Sequence, residues 1–316
     1  MRMPKFAGRQ FHNQPVQSHI HPYLVALWDE VRAQTRGELD ITVCAQNAGI
    51  AGSDPQALAM LAAGEVEFFT LMGGILGQVA PEAELQGVAF AFDSPSQVFA
   101  AMDGELGAFL DQRTRPHGIH MLPGGCFENG FRWMFGIDRP ILVPSDLQGI
   151  RMRIPSGKTF EDLFRALGAT PVVVNIKELH AALASRSVDA HENAPVVADV
   201  NRLDEVSFHA SLTDHQWSGF NLLANLGFWN RLGEPLRDAV RRATTKHVAA
   251  QRAHADARNR ALVSQFPARG MAVVPVEREP FRAALADAGF FADWKAKLGA
   301  DAWTRFVKAA PGLARY

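Results

Sequence analysis

Short β-prone runs alternate with amphipathic stretches along most of this chain, and that alternation restricts the fold more than any single motif does. Phe6 to Gln14 reads as a first strand. Ser18 to Arg36 reads as a helix with Leu24, Leu27, Trp28 and Val31 on its apolar face and Gly37 as its stop. Leu39 to Cys44 alternates as a strand, and a turn at Gly49-Ile50-Ala51-Gly52 leads to Ser53, whose hydroxyl can cap a helix with Gln56 at the reciprocal position. Val66 to Leu71 is the next strand, interrupted by Gly73-Gly74. This repetition predicts an α/β protein, with mixed sheets flanked by helices, rather than a β-sandwich.

The second half keeps the pattern. His117 to Leu122 is a predicted strand, closed by Pro123-Gly124-Gly125 as a turn and lobe boundary, and Gly130 to Phe135 is a new strand that carries Arg132. Its expected partner is the stretch Asp146 to Lys158, in which Ile150, Met152 and Ile154 alternate with Arg151 and Arg153 before Pro155 and Ser156 open a helix ending at Gly168. In a parallel sheet Arg153 would stand at the strand's carboxyl end, where a guanidinium is a permanently charged planar fork for a carboxylate or phosphate. A solvated surface strand explains the same residues equally well. Pro171 to Val174 is a hydrophobic strand, Asn175 caps a helix with Glu178 in its first turn, and Val188 to Pro195 begins as a strand. Val206 to Phe208 is a further short strand, and His215 to Leu226 is apolar enough to span from one sheet to another. One long helix from Gly233 or Glu234 to about Gln265 is expected to lie along two lobes; a strand at Met271 to Val276 and helices over Pro280 to Gly289 and Phe290 to Ala310 close the chain.

A chain of 316 residues suffices for two lobes of ordinary size. With 47% hydrophobic and 21% charged residues and a formal charge of -1, it predicts a globular protein with neither a nucleic-acid surface nor a polybasic membrane patch. No apolar stretch has the length of a membrane span. Cys44 and Cys126 are too few for a disulfide framework and read as two partly buried thiols.

Searching for chemistry removes most enzyme classes. The dinucleotide fingerprint, Walker loop, zinc helix and nucleophile elbow are all missing. His19 with His21 and His117 with His120 lack a clear third ligand, so no metal and no cofactor is expected. His191-Glu192-Asn193 ends a strand; Asn193 offers a donor and an acceptor to a ligand, while Glu192 can instead hold an arginine. Among the aromatic residues, Trp217 and Phe127 are the favoured ligand-lining candidates because they lie near predicted lobe crossings, although most aromatics at such spacings are core.

Several segments together are more specific. Leu147-Gln148-Gly149-Ile150-Arg151-Met152-Arg153-Ile154-Pro155, Gly168-Ala169-Thr170-Pro171-Val172, Glu178-Leu179-His180-Ala181-Ala182-Leu183 and Val188-Asp189-Ala190-His191-Glu192-Asn193 follow one another in order, with Leu212-Thr213-Asp214-His215 after them and Ala63-Gly64-Glu65 before. In this the chain resembles the substrate-binding subunits of TRAP transporters, the DctP-like family, over almost its whole length. The resemblance implies a two-lobed, type II-like periplasmic-binding-protein fold with a long helix spanning both lobes. Lobe I would hold 1-127, lobe II 128-215, a returning strand and helix 216-255, and 256-316 would pack mainly on lobe II. It implies a non-catalytic receptor, monomeric and periplasmic, that closes over a small organic carboxylate and delivers it to the membrane subunits of a sodium-driven permease. The printed N-terminus offers no export signal, which a trimmed sequence or a misplaced start would explain.

By the same resemblance Arg153 is the principal carboxylate clamp, Arg132 a second arginine beside it, and Asn193 a bond to the carboxylate or its neighbour. Where the family carries Gly-Gln-Glu-Asn-Pro this chain has Ala190-His191-Glu192-Asn193-Ala194, which changes the local loop. Few cations beyond Arg132 and Arg153, together with the aromatic supply, favour a monocarboxylate or keto acid with an apolar tail over a highly charged sugar acid. Two alternatives remain at this point. One is a hydrolase or lyase using His191 and Glu192 as acid and base; the other is a sensory receptor without a permease.

Overall fold

The computed structural model describes residues 4–50 and 53–316. The charged opening Met1-Arg2-Met3 and half of the turn expected at Gly49 to Gly52 lie outside the described residues. Nine strands are present among them: β1 (Phe6–His12), β2 (Leu39–Cys44), β3 (Phe68–Met72), β4 (Ile119–Gly136), β5 (Arg151–Ile154), β6 (Thr170–Val173), β7 (Ala190–Asn193), β8 (His209–Asn225) and β9 (Ala272–Pro275). The chain forms two compact units. Unit 1 holds the chain up to Ala83 with 99–128 and 219–255, and unit 2 holds 84–98, 129–218 and 256–316.

In unit 1, β1 lies between β2 and β3 and is parallel to both, and β3 pairs antiparallel with the last residues of β8. The helix His21–Gln34 connects β1 to β2, and Leu24, Leu27, Trp28 and Val31 are its buried residues. Trp28 packs on Phe68 at 4.5 Å and Phe68 on Phe228 at 5.6 Å, so much of the aromatic content is spent on this core. The helix Asp54–Ala63 begins where expected, but the Ser53 hydroxyl makes no cap bond; the Ser53 carbonyl instead receives the amides of Gln56 and Ala57.

In unit 2 the order is β4, β7, β5, β6, with β4 antiparallel to β7 and the other pairs parallel, while β9 pairs with the first residues of β8. Trp133, Phe135, Leu179, Val196, Val197, Leu262 and Phe266 belong to its core. The strand around Arg153 therefore does not pair with the strand of Arg132 as expected: β7 lies between them, because the Val188 to Asn193 segment supplies the shared neighbour.

Other boundaries also moved. Pro123-Gly124-Gly125 does not end a strand; β4 runs through it, bent where Gly124 and Gly130 take φ of 68° and 124°, and the change of unit falls after Glu128. Residues 84–98, placed in lobe I from sequence, group with unit 2. Glu84 accepts the Thr159 amide there, Gly87 accepts the Gln216 side chain, and Phe90 donates to the His215 carbonyl at 2.8 Å. The expected strand at Val206 to Phe208 is absent, since β8 begins at His209. The last expected helix is split in two, Phe290–Leu298 and Ala300–Ala309, by Gly299 at φ 83°. The long helix is Glu234–Ala268, and the chain changes unit inside it after Ala255, as it does inside β8 after Ser218.

Candidate ligand-binding site

Arg153 is the third residue of β5, near the carboxyl ends of the parallel strands β5, β6 and β7. Strand alternation was expected to put Arg151 and Arg153 on one face of the strand. The structure separates them by burial. Arg151 is exposed and forked onto Asp189, with Nε to Oδ2 at 3.0 Å and Nη2 to Oδ1 at 2.6 Å. Arg153 is only 2% exposed, and its Nε and Nη2 donate to the Val174 carbonyl at 2.9 and 2.6 Å. The Val174 carbonyl thus orients the fork.

Arg132, on β4, is differently committed. Its Nε donates to Glu192 Oε2, and its Nη2 donates to Glu192 Oε1 at 2.7 Å and to the Glu192 carbonyl at 2.8 Å. The same Nη2 reaches Asn193 Oδ1 and Nη1 reaches Ser218 Oγ, both at 3.3 Å, while the guanidinium lies 5.1 Å over the Phe160 ring. Burial pushes the Glu192 carboxyl up, but Arg132 and His215 together outweigh it and hold the group below the usual range. Arg132 thus already faces the Glu192 carboxylate, a partner that the spacing of residues alone did not reveal.

Asn193 closes β7 opposite Trp133 of β4. Its Nδ2 lies 3.1 Å from His191 Nδ1, and His191 Nε2 lies 3.2 Å from Ser207 Oγ, whose hydroxyl donates to the Leu203 carbonyl at 2.7 Å. The His191 ring stacks on Phe135 at 4.7 Å with 5° between planes. Burial, and then the charges of Arg153 and Arg132, keep His191 well below its ordinary pKa and therefore neutral. His215 is also buried and lowered, chiefly by desolvation, and its Nε2 stands 3.5 Å from Glu192 Oε2.

The structure thus brings Arg132 and Asn193 into direct contact and places Arg153 within electrostatic reach of their neighbour His191. Trp217 is buried in unit 2; Phe127 is fully buried in unit 1, five residues before Arg132 on the same strand. Sequence reasoning missed Ser218, Phe160, Ser207 and Asn259. Asn259, on the long helix, accepts the Val196 amide at 2.9 Å and donates to the Asn129 carbonyl at 3.0 Å, so it ties the segments that carry Arg132 and Asn193. No local signal marks a residue whose partners are 63 and 130 positions away.

Unit 1 carries its own polar cluster at the carboxyl ends of β1 and β2. Asp54 Oδ2 accepts from Asn13 Nδ2 and Oδ1 accepts from Asn47 Nδ2, both at 2.8 Å, and Asn13 Oδ1 accepts from Gln14 Nε2 at 2.9 Å. A carboxylate only accepts, so Asp54 fixes the orientation of every amide in the chain. The buried Gln14 Oε1 and Asn47 Oδ1 are left as acceptors with no hydrogen-bond partner among the described residues. Beside them His12 Nε2 and His21 Nδ1 meet at 2.9 Å. No group of three or more ligating side chains occurs among the described residues.

These features define a binding protein of α/β type with a buried arginine beside a strand-end asparagine. The sequence profile of the bacterial extracellular solute-binding proteins of family 7, DctP, matches residues 11–288, and the chain belongs to this family. It is 29% identical over 257 residues to the uncharacterized protein y4mM of Sinorhizobium fredii, covering 81% of this chain and 47% of that one. It is 31% identical over 160 residues to the C4-dicarboxylate-binding periplasmic protein DctP of Rhodobacter capsulatus, covering 51% and 47%. The chain therefore spans less than half the length of these two relatives. Among solved structures, a TRAP periplasmic solute-binding protein from Polaromonas with bound D-erythronate superposes with a TM-score of 0.89 at 27% identity, over 96% of this chain and 98% of that one. The sugar acid binding protein DctPAm from Advenella mimigardefordensis, in complex with galactonate, gives 0.90 at 22%, over 99% and 100%, and speaks for the fold alone. The fold is accordingly the two-lobed periplasmic-binding type, and the family consists of receptors rather than enzymes. The acid-base reading of His191 and Glu192 is withdrawn: the ring is neutral and the carboxylate is bound to Arg132.

Proposed function

We propose that this protein is the periplasmic receptor of a TRAP transporter, that it captures a hydroxylated monocarboxylate, and that it hands the ligand unchanged to the membrane subunits of a sodium-driven permease. The observation that carries the reading is Arg153, a guanidinium only 2% exposed near the carboxyl ends of parallel strands, paired in register with His191 of the strand that ends at Asn193. An acid there would gain a charge-assisted fork, strengthened by the low dielectric of the site. Arg132 serves in this reading by holding Glu192 and Asn193 in place. No helix among the described residues is long and apolar enough to cross a membrane.

The ligand preference changes from the apolar-tailed acid that the aromatic content favoured. Trp28, Phe68 and Phe228 pack against one another in unit 1, and Phe92 meets Phe306 at 6.1 Å in unit 2. D-erythronate, a hydroxylated acid, occupies the Polaromonas structure, which supports a hydroxylated ligand here. Titration calorimetry against D-erythronate, galactonate, succinate and an apolar 2-keto acid tests this. Tightest binding is expected for the hydroxylated monocarboxylates, and a preference for succinate or the keto acid overturns the ligand class. Arg153→Ala should weaken binding by ~2 to 4 kcal/mol with the circular dichroism unchanged; equal affinity would remove Arg153 as the clamp.

A further inference from the structure

We infer that His191 is a positioning residue that turns the Asn193 amide so that one of its N–H groups faces the ligand carboxylate. This rests on the reading of Asn193 as a ligand contact. One hydrogen-bonded series, from Ser207 through His191 and Asn193 to Arg132, sets the amide from both ends. The Ser207 hydroxyl spends its hydrogen on the Leu203 carbonyl, so Ser207 Oγ can only accept from the ring, and His191 Nε2 carries the proton. Nδ1 is then bare and accepts from Asn193 Nδ2. At the other end the Arg132 guanidinium, whose Nη2 lies 3.3 Å from Asn193 Oδ1, is a cation that favours the amide oxygen over the amide N–H on that side. The two ends agree, and the amide has one orientation: oxygen to Arg132, nitrogen to His191.

An amide nitrogen has two hydrogens, and His191 uses one. The second is the donor that a carboxylate beside Arg153 can accept. A flipped amide would set N–H against the Arg132 guanidinium and present oxygen to an anion, wrong on both sides. The charged groups around the ring are Arg132 from β4, Arg153 from β5 and Glu192 on its own strand; the two cations oppose a proton on Nδ1. Phe135, stacked on the ring, prevents it from rotating away.

The test is a double-mutant cycle read by calorimetry with D-erythronate or whichever acid of the panel binds tightest. His191→Leu should weaken binding about tenfold in the wild-type background, the loss of one oriented hydrogen bond, and less than twofold in Asn193→Ala. His191→Asn, whose Oδ1 stands as many bonds from the backbone as Nδ1 does, should recover most of the affinity. Equal losses in both backgrounds would overturn the positioning role, since a merely structural residue acts whether or not Asn193 is present. Asn193→Ala binding as tightly as wild type would instead overturn the underlying ligand contact and the inference with it. As an independent readout, nitrogen-15 shifts of the His191 ring should show Nε2 protonated and Nδ1 bare between pH 5 and 8; a protonated Nδ1 would sink the proposal.

Discussion

At the scale of single residues, burial decides what each cation does. Arg132 and Glu192 form a fully buried pair, and removing one partner leaves the other charge without compensation. Arg132→Met should therefore cost ~3 to 5 kcal/mol in urea denaturation at pH 7, whereas Arg151→Met, at a solvent-exposed pair, should shift the midpoint far less. His12 gives a pH prediction. Burial, then the charges of His21 and His19, lowers it from 6.5 to about 3. Between those values the unfolded chain binds a proton that the folded chain refuses, so the stabilising contribution is complete above 6.5 and lost as pH falls toward 3. The slope is up to ~1.4 kcal/mol per pH unit. Denaturation midpoints measured from pH 7 to 4 should fall accordingly, and His12→Gln should reduce that slope by about one proton. The places of Arg153 and Asn193 near strand ends were legible in the order of the motifs. The partnership of Arg132 with Glu192 was open, since spacing does not say which oxygens an arginine meets. The His12 to His21 contact was missed because histidine pairs were sought within single short segments.

At the scale of elements, the long helix fixes β4 through side chains that imitate a strand. In unit 1 Gln251 Oε1 accepts the Glu128 amide at 2.8 Å and its Nε2 donates to the Glu128 carbonyl at 2.7 Å, satisfying one residue's whole backbone. In unit 2 Asn259 does similar work for Asn129 and Val196. Asn259→Ala should lower stability by ~1 to 3 kcal/mol through the unsatisfied Val196 amide and Asn129 carbonyl, and should raise amide exchange selectively around 129–132 and 194–197. Gly130→Ala is more severe in geometry: at φ 124° a new Cβ would stand 2.4 Å from Asn259 Nδ2. The continuity of β4 could not be read from Pro123-Gly124-Gly125, because those residues ordinarily make turns, whereas here they lie within an 18-residue strand.

At the scale of the whole molecule, the alternating pattern sufficed for an α/β fold with a long helix, and ordered motifs sufficed for the family. The strand order was not accessible in the same way, since β7 enters between β4 and β5 through contacts that no local pattern records. One margin of the sheet in unit 2 is β6, where Val173 is 53% exposed. Thr170 and Val174 donate their amides to Ile150 and Ile154 of the β5 segment, so the intervening odd-numbered residues point their backbone away from it. The first of these is Pro171, which has no N–H to offer. An unprotected apolar margin of this kind invites a strand of another molecule, and proline is one of the devices that discourage such stacking. The ring at 171 thus acts on colloidal behaviour rather than on recognition: Pro171→Val should leave ligand affinity intact while turbidity on prolonged warming rises, the sign of a chain that has lost its guard against self-association.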